Sequence, residues 1–92
     1  MTVLVGPVLE AGDVAQGVVS AIRELNPGTE IRNRGSYLRV LVADRCFLTT
    51  EAVERALGRP FRLPGDLELI MPSFAGAMTI EEKSVVWKAG RP

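Results

Sequence analysis

Two stretches of the chain carry apolar residues at helical spacing, and several others alternate or run in short apolar blocks bounded by glycine and proline. Val14, Val18, Ile22 and Leu25 recur every three or four positions and predict an amphipathic helix beginning at Asp13. The Asp13 carboxylate is expected to cap its first turn, with Gln16 in the reciprocal capping-box position. "NPG" at Asn26 to Gly28 stops this helix, because Pro27 cannot continue the hydrogen-bond ladder and Gly28 turns readily. A second, shorter helix follows Thr49, whose hydroxyl is a cap and whose Glu51 stands in the favourable first turn. Ala52, Val53, Ala56 and Leu57 form its apolar side and Gly58 ends it.

The remaining blocks read as strands. "TVLVGPVLEAG" is β-branched but interrupted by Gly6-Pro7, which suits a bent or edge strand. "TEIRNRGSYLRVLVA" predicts two strands joined around Arg34-Gly35, with Leu38, Val40 and Val42 on one face and Tyr37, Arg39 and Leu41 on the other. Cys46 to Leu48 form a brief extended piece. "RPFRLPGD" is loop, "LELIM" predicts a strand ended by Pro72, and Gly76 separates it from "AMTI". Glu81 and Glu82 fall in a bend before a last strand through Val85, Val86 and Trp87. Helices this short need a sheet to receive their apolar stripes. The expectation is therefore an α/β (α+β) sandwich, two helices on mixed or mainly antiparallel strands, in the order β-α-β-β-α-β-β-β. Residues 1–92 are expected to form a single domain, since the length supports one core and no linker or repeat appears.

Composition narrows the function classes. Eleven Lys+Arg balance eleven Asp+Glu. Without a basic excess, nucleic acid is not the expected partner, although Arg32, Arg34, Arg39 and Arg45 gather around Tyr37. No apolar run approaches the roughly 20 residues of a membrane span. There is no histidine, which removes the commonest side-chain base near neutral pH and the commonest metal ligand. Cys46 is alone, so no disulfide framework forms within the chain, and a reducing cytoplasm is the simpler setting. Its neighbours Phe47 and Leu48 point to a buried thiol. Gly6, Gly12 and Gly17 make no phosphate-binding fingerprint, and Gly17 inside the first helix reads as close packing against the sheet. Ser73 has no imidazole to activate it. No catalytic, cofactor-binding or metal-ligating residue is expected. What remains are arginines, aromatics and apolar groups suited to a protein interface. From the residues alone, a general protein-binding α/β module is the leading reading.

The order of punctuation adds to that reading. "VGPV" at Val5 to Val8, "AGD" at Ala11 to Asp13, "NPG" at Asn26 to Gly28 and "YLRV" at Tyr37 to Val40 are followed by "LT" at Leu48 to Thr49, "LGRPF" at Leu57 to Phe61 and "SFAG" at Ser73 to Gly76. In this succession the chain resembles the small effector, or coupling, proteins of soluble bacterial multicomponent di-iron monooxygenases. That family contains the methane monooxygenase regulatory protein and the phenol hydroxylase effector, and the likeness is strongest to toluene and alkene monooxygenase effectors. The resemblance implies a protein without a prosthetic group that binds the oxygenase component near its di-iron centre. There it would tune geometry, oxygen activation and coupling during hydrocarbon hydroxylation or epoxidation, in a system completed by a ferredoxin and/or an NADH-dependent reductase.

By the same resemblance, Asn26, Gly28, Arg59, Phe61, Ser73, Phe74 and Gly76 are the expected partner-binding residues, with Tyr37 and Arg39 behind them. Two departures qualify the carry-over. Only four residues precede Val5, fewer than the flexible tail of several relatives, so tail-driven docking is not expected. Pro72 also stiffens the approach to Phe74, where relatives often have another residue.

Overall fold

The computed structural model describes residues 2–90. Its elements run β1 (Leu4–Glu10), α1 (Asp13–Leu25), β2 (Glu30–Asn33), β3 (Tyr37–Ala43), β4 (Arg45–Thr49), α2 (Thr50–Leu57), α3 (Gly65–Glu68), β5 (Ser73–Ala75), β6 (Ala77–Ile80) and β7 (Ser84–Lys88). A four-stranded sheet has the order β2-β3-β1-β5 and a three-stranded sheet the order β4-β7-β6, every pairing being antiparallel. The α+β expectation holds in class and in approximate order.

Alternation decides what each sheet buries. On the smaller sheet Cys46 lies opposite Trp87, which lies opposite Met78, and Leu48 opposite Val85 beside Ile80. These rows turn inward, while Arg45, Phe47, Thr79, Val86 and Lys88 alternate with them on the outer face. On the larger sheet Val5, Leu9, Leu38, Val40 and Val42 face inward. They join Val18 and Ile22 of α1, Ala52 and Val53 of α2, and the smaller sheet's inner row in one apolar cluster. Trp87 is fully buried there, and its indole Nε1 has no hydrogen-bond partner.

Two corners join the sheets. Asp44, in the left-handed conformation at φ 67°, turns β3 into β4. Its N–H donates to the Val3 carbonyl at 2.7 Å, and its own carbonyl accepts from Ala89 N–H at 2.9 Å. Gly76, at φ 104°, carries the chain from β5 to β6, and a Cβ there would stand 2.6 Å from the Lys88 carbonyl oxygen and 2.8 Å from Val5 Cγ1. Only glycine fits so close to the neighbouring strand.

Local chemistry corrects several sequence expectations. Helix α1 does begin at Asp13, but Gly12 occupies the cap position and no side chain caps it. The first helical bond runs from Gln16 N–H to the Gly12 carbonyl at 3.0 Å, which places Asp13 in the first turn, where its charge still favours the helix dipole. In α2 the Thr49 hydroxyl accepts from Ala52 N–H at 3.2 Å, and Gly58 closes the helix in the left-handed conformation. Ala56, expected on the buried side, is exposed. Gly17 packs against α2, not against the sheet: a Cβ there would lie 2.5 Å from Leu57 Cδ2.

The largest correction concerns "LELIM". Residues Gly65–Glu68 form one helical turn, with Glu68 N–H donating to the Pro64 carbonyl at 2.9 Å and Leu69 N–H to the Gly65 carbonyl at 3.1 Å. Asp66 fixes this turn by accepting from Arg62 N–H at 2.8 Å. A strand would bury Leu67, Leu69 and Met71 together. Instead Leu67 and Met71, four apart, are buried, and Leu69 between them is 78% exposed.

Candidate functional site

The core-forming residues occupy one face of the larger sheet, and its other face carries Val8, Arg32, Tyr37, Arg39 and Leu41. Register sets its rows: Arg32 stands opposite Arg39, Arg39 opposite Val8, and Val8 opposite Ser73. One level along, Leu41 and Ala75 flank the position of Gly6, and at the end of β3 Tyr37 pairs with Glu10. Gly6 is dictated by the backbone, since at φ 145° a Cβ would run into the Val40 carbonyl. With only hydrogen and methyl at Gly6 and Ala75, the sheet surface dips into a depression of about 370 Å³ bordered by Tyr37, Arg39 and Phe74.

This surface continues around the end of the sheet. A second hollow of about 580 Å³ shares Val8 and Tyr37 with the first and extends to Ala11 and Pro72. The Glu10 N–H donates to the Ile70 carbonyl at 2.7 Å, tying β1 to the turn that projects Leu69. Leu69 and Ile70 in turn line a third hollow of about 200 Å³ with Val14, Arg59 and Pro60. Exposed Tyr37, Phe74 and Leu69 thus mark a band running from the sheet face to the α2–α3 loop. Isolated apolar residues on a surface are ordinary, but a continuous band of them beside hollows is characteristic of an interaction site.

Two arginines on the band are unpaired among the described residues, although Glu10 lines the second hollow and Asp66 the third. Arg32 is paired with Glu30 at 2.7 Å, and Arg55 with Glu24 at 2.6 Å. Arg39 and Arg59 have no ion pair among the described residues. No group of three or more His, Cys, Asp or Glu side chains among the described residues is placed to hold a metal ion. Cys46 is buried, and desolvation pushes its thiol from 9.0 up to about 12, against a smaller opposing effect of the Arg45 charge. A thiol so protonated is a packing group, not a nucleophile.

The seven residues expected at a partner surface fall into three places. Ser73 and Phe74 lie on β5 at the edge of the sheet depression, with Gly76 at the corner beyond. Arg59 borders the third hollow; Phe61 beside it is 3% exposed, its N–H held by the Glu54 carboxylate at 2.9 Å. Asn26 and Gly28 stand at the far end of α1, about 18 Å from Val14 at ~1.5 Å per helical residue. Gly28 is exposed, whereas Asn26 is buried and occupied internally. Its side-chain amide donates to the Ile22 carbonyl at 2.8 Å and the Phe47 carbonyl at 2.7 Å, and its oxygen accepts from Phe47 N–H at 2.9 Å. It clamps α1 to β4. Sequence reasoning missed Leu69, and the signal available was the four-residue spacing of Leu67 and Met71.

Comparison with known proteins establishes the family. The model of the MmoB/DmpM family matches residues 3–88. The chain belongs to the MmoB/DmpM family. Among its relatives, the effector subunit of the alkene monooxygenase system of Xanthobacter autotrophicus (strain ATCC BAA-1158 / Py2) is 42% identical over 86 residues, covering 91% of this chain and 84% of that one. Solved structures share the MmoB/DmpM fold. A chain from a phenol hydroxylase–regulatory protein complex aligns with a TM-score of 0.84 at 22% identity, covering 96% of this chain and all of its own. Another structure of such a complex gives 0.79 at 23% identity, covering 94% and 99%. MmoB/DmpM membership carries a non-catalytic, regulatory role in di-iron monooxygenase systems and implies interaction with the oxygenase component.

Proposed function

We propose that this effector docks its exposed apolar band on the oxygenase and favours one conformation of it, tuning active-site geometry, oxygen activation and coupling while the oxygenase makes and breaks the bonds. The observation that carries this reading is the exposure of Tyr37, Phe74 and Leu69 beside three hollows, two of which share Val8 and Tyr37, in a chain of the effector family. Phe74 and Ser73 on β5, and Arg59 on the α2–α3 loop, are its proposed contacts. Phe61, Asn26 and Gly76 support that surface from behind or at a distance, and Gly28 lies outside the band.

Such a protein acts only through differential affinity. Binding two oxygenase conformations equally would shift nothing, whereas a preference of about 1.4 kcal/mol changes their ratio roughly tenfold. No proton or electron need pass through this chain. The substrate is proposed to be a small apolar hydrocarbon of the alkene or toluene class, by likeness to the alkene monooxygenase effector subunit. A ferredoxin and/or NADH-dependent reductase would complete the system in the cytoplasm. No helix among the described residues is long and apolar enough to cross a membrane.

Steady-state oxidation by the reconstituted system, titrated with this chain, tests the reading. Product formed per reduced nicotinamide consumed is expected to rise to a plateau as the chain saturates the oxygenase. Unchanged turnover and coupling across the titration would contradict it.

A further inference from the structure

The sheet depression has a more specific chemistry than the rest of the band. Its base is Leu41, which is 4% exposed yet stands apart from the apolar core cluster. Gly6 and Ala75 contribute almost no side-chain bulk to it, Tyr37 stands on the same face as Leu41, and Phe74 lines it from the edge strand β5. Gly6 is not incidental: the approach of the Val40 carbonyl requires it, so no side chain can fill the hollow from that position. At about 370 Å³ and open to solvent, it has room for a large side chain presented from outside but does not enclose a free ligand.

The rim carries an uncompensated charge. Arg39 lines the depression and has no carboxylate partner among the described residues, and no Asp or Glu lines the hollow with it. The nearest cross-strand cation, Arg32, is already neutralised by Glu30. An arginine fork beside an apolar hollow matches a carboxylate bidentately, and the contact strengthens as the surrounding apolar surface is desolvated.

Building on the effector reading above, we infer that this depression is a socket for one apolar side chain of the oxygenase, with an Asp or Glu of the same surface engaging Arg39. Anchors of this kind, an apolar group in a pocket beside a charge shielded from water, supply a disproportionate share of interface energy. The socket also distinguishes partners: a surface offering a lysine in place of the carboxylate would be repelled.

The test is calorimetric titration of the oxygenase component with the full chain at low and at moderate salt, using wild type, Ala75→Leu and Arg39→Glu. Circular dichroism establishes that each variant is folded, and Val8→Phe fills the same hollow from β1 should Ala75→Leu fail to fold. Filling the socket is expected to weaken binding at least tenfold at both salt concentrations. Arg39→Glu is expected to weaken it at least tenfold at low salt and to flatten or reverse its salt dependence. Folded variants that bind within twofold of wild type would overturn the socket while leaving the effector reading intact, and so would a loss confined to Arg39→Glu. Failure of the wild-type chain to bind the oxygenase would instead overturn the reading beneath it.

Discussion

The two sheets end differently at their outer faces. On the smaller sheet the one aromatic ring, Phe47, lies under the Arg45 guanidinium at 5.2 Å, and Thr79, Ser84 and Lys88 surround it with groups that water solvates. On the larger sheet Tyr37 stands 38% exposed near Arg39, which has no ion pair among the described residues, and Phe74 on the edge strand is 40% exposed. Both sheets fold by the same alternation and contribute to the same core. The first is finished as a solvent surface, and the second leaves apolar area exposed and that charge unpaired, which is why it is proposed as the docking face. Recognition can therefore be written on alternate residues of the strands that build the core, with little cost to the fold.

The buried side of that contrast carries the largest expected effects. Leu9 is fully buried between the sheet and the helices, so Leu9→Ala is expected to destabilise the protein by about 2–5 kcal/mol. Chemical denaturation measures this, and a loss below about 1 kcal/mol would place the core elsewhere. Asn26→Ala removes the clamp that satisfies both the N–H and the carbonyl of Phe47, and a loss of about 2 kcal/mol is expected by the same measurement. Its affinity for the oxygenase, measured on the folded fraction, should be unchanged. A selective loss of affinity would make Asn26 a contact after all.

Substitutions on the outer faces should reverse the order of effects. Tyr37→Ala is expected to leave the denaturation midpoint nearly unchanged and to weaken oxygenase binding about tenfold, or about 1.4 kcal/mol. An equal loss of stability would mean that Tyr37 supports the sheet instead of meeting a partner. The smallest effect is expected for Phe47→Ala on the other sheet: less than about 1 kcal/mol of stability, mostly its contact with Arg45. Its binding should stay within twofold of wild type, and a larger loss would erase the distinction between the two faces.

Much of this was legible in the sequence because local chemistry and global packing agreed. The α1 stripe, the Thr49 cap, the Gly58 stop and the alternation through Tyr37–Val42 each had one reading, and the fold honours it. Two features were not legible. "LELIM" satisfies strand alternation and helical spacing at once, and only the bonds from Arg62 and Asp66 select the helical turn that exposes Leu69. Gly17 required a close neighbour, but nothing local says whether that neighbour is a sheet or Leu57 of another helix. The site residues divide along the same line. Register places Ser73 on the open face beside Val8 and leaves Phe74 exposed on the edge strand opposite Pro7, whereas the tertiary burial of Asn26 and Phe61 depends on Phe47 and Glu54, residues far from them in the chain or across a loop.

The account rests on a surface that distinguishes states of its partner. The most direct measurement is the affinity of this chain for the oxygenase before and after reduction of the oxygenase's metal centre, in one buffer at fixed salt. A difference of tenfold or more is predicted, with product yield per electron following the tighter-binding state. Equal affinities in the two states, alongside an undiminished effect on turnover, would contradict the account.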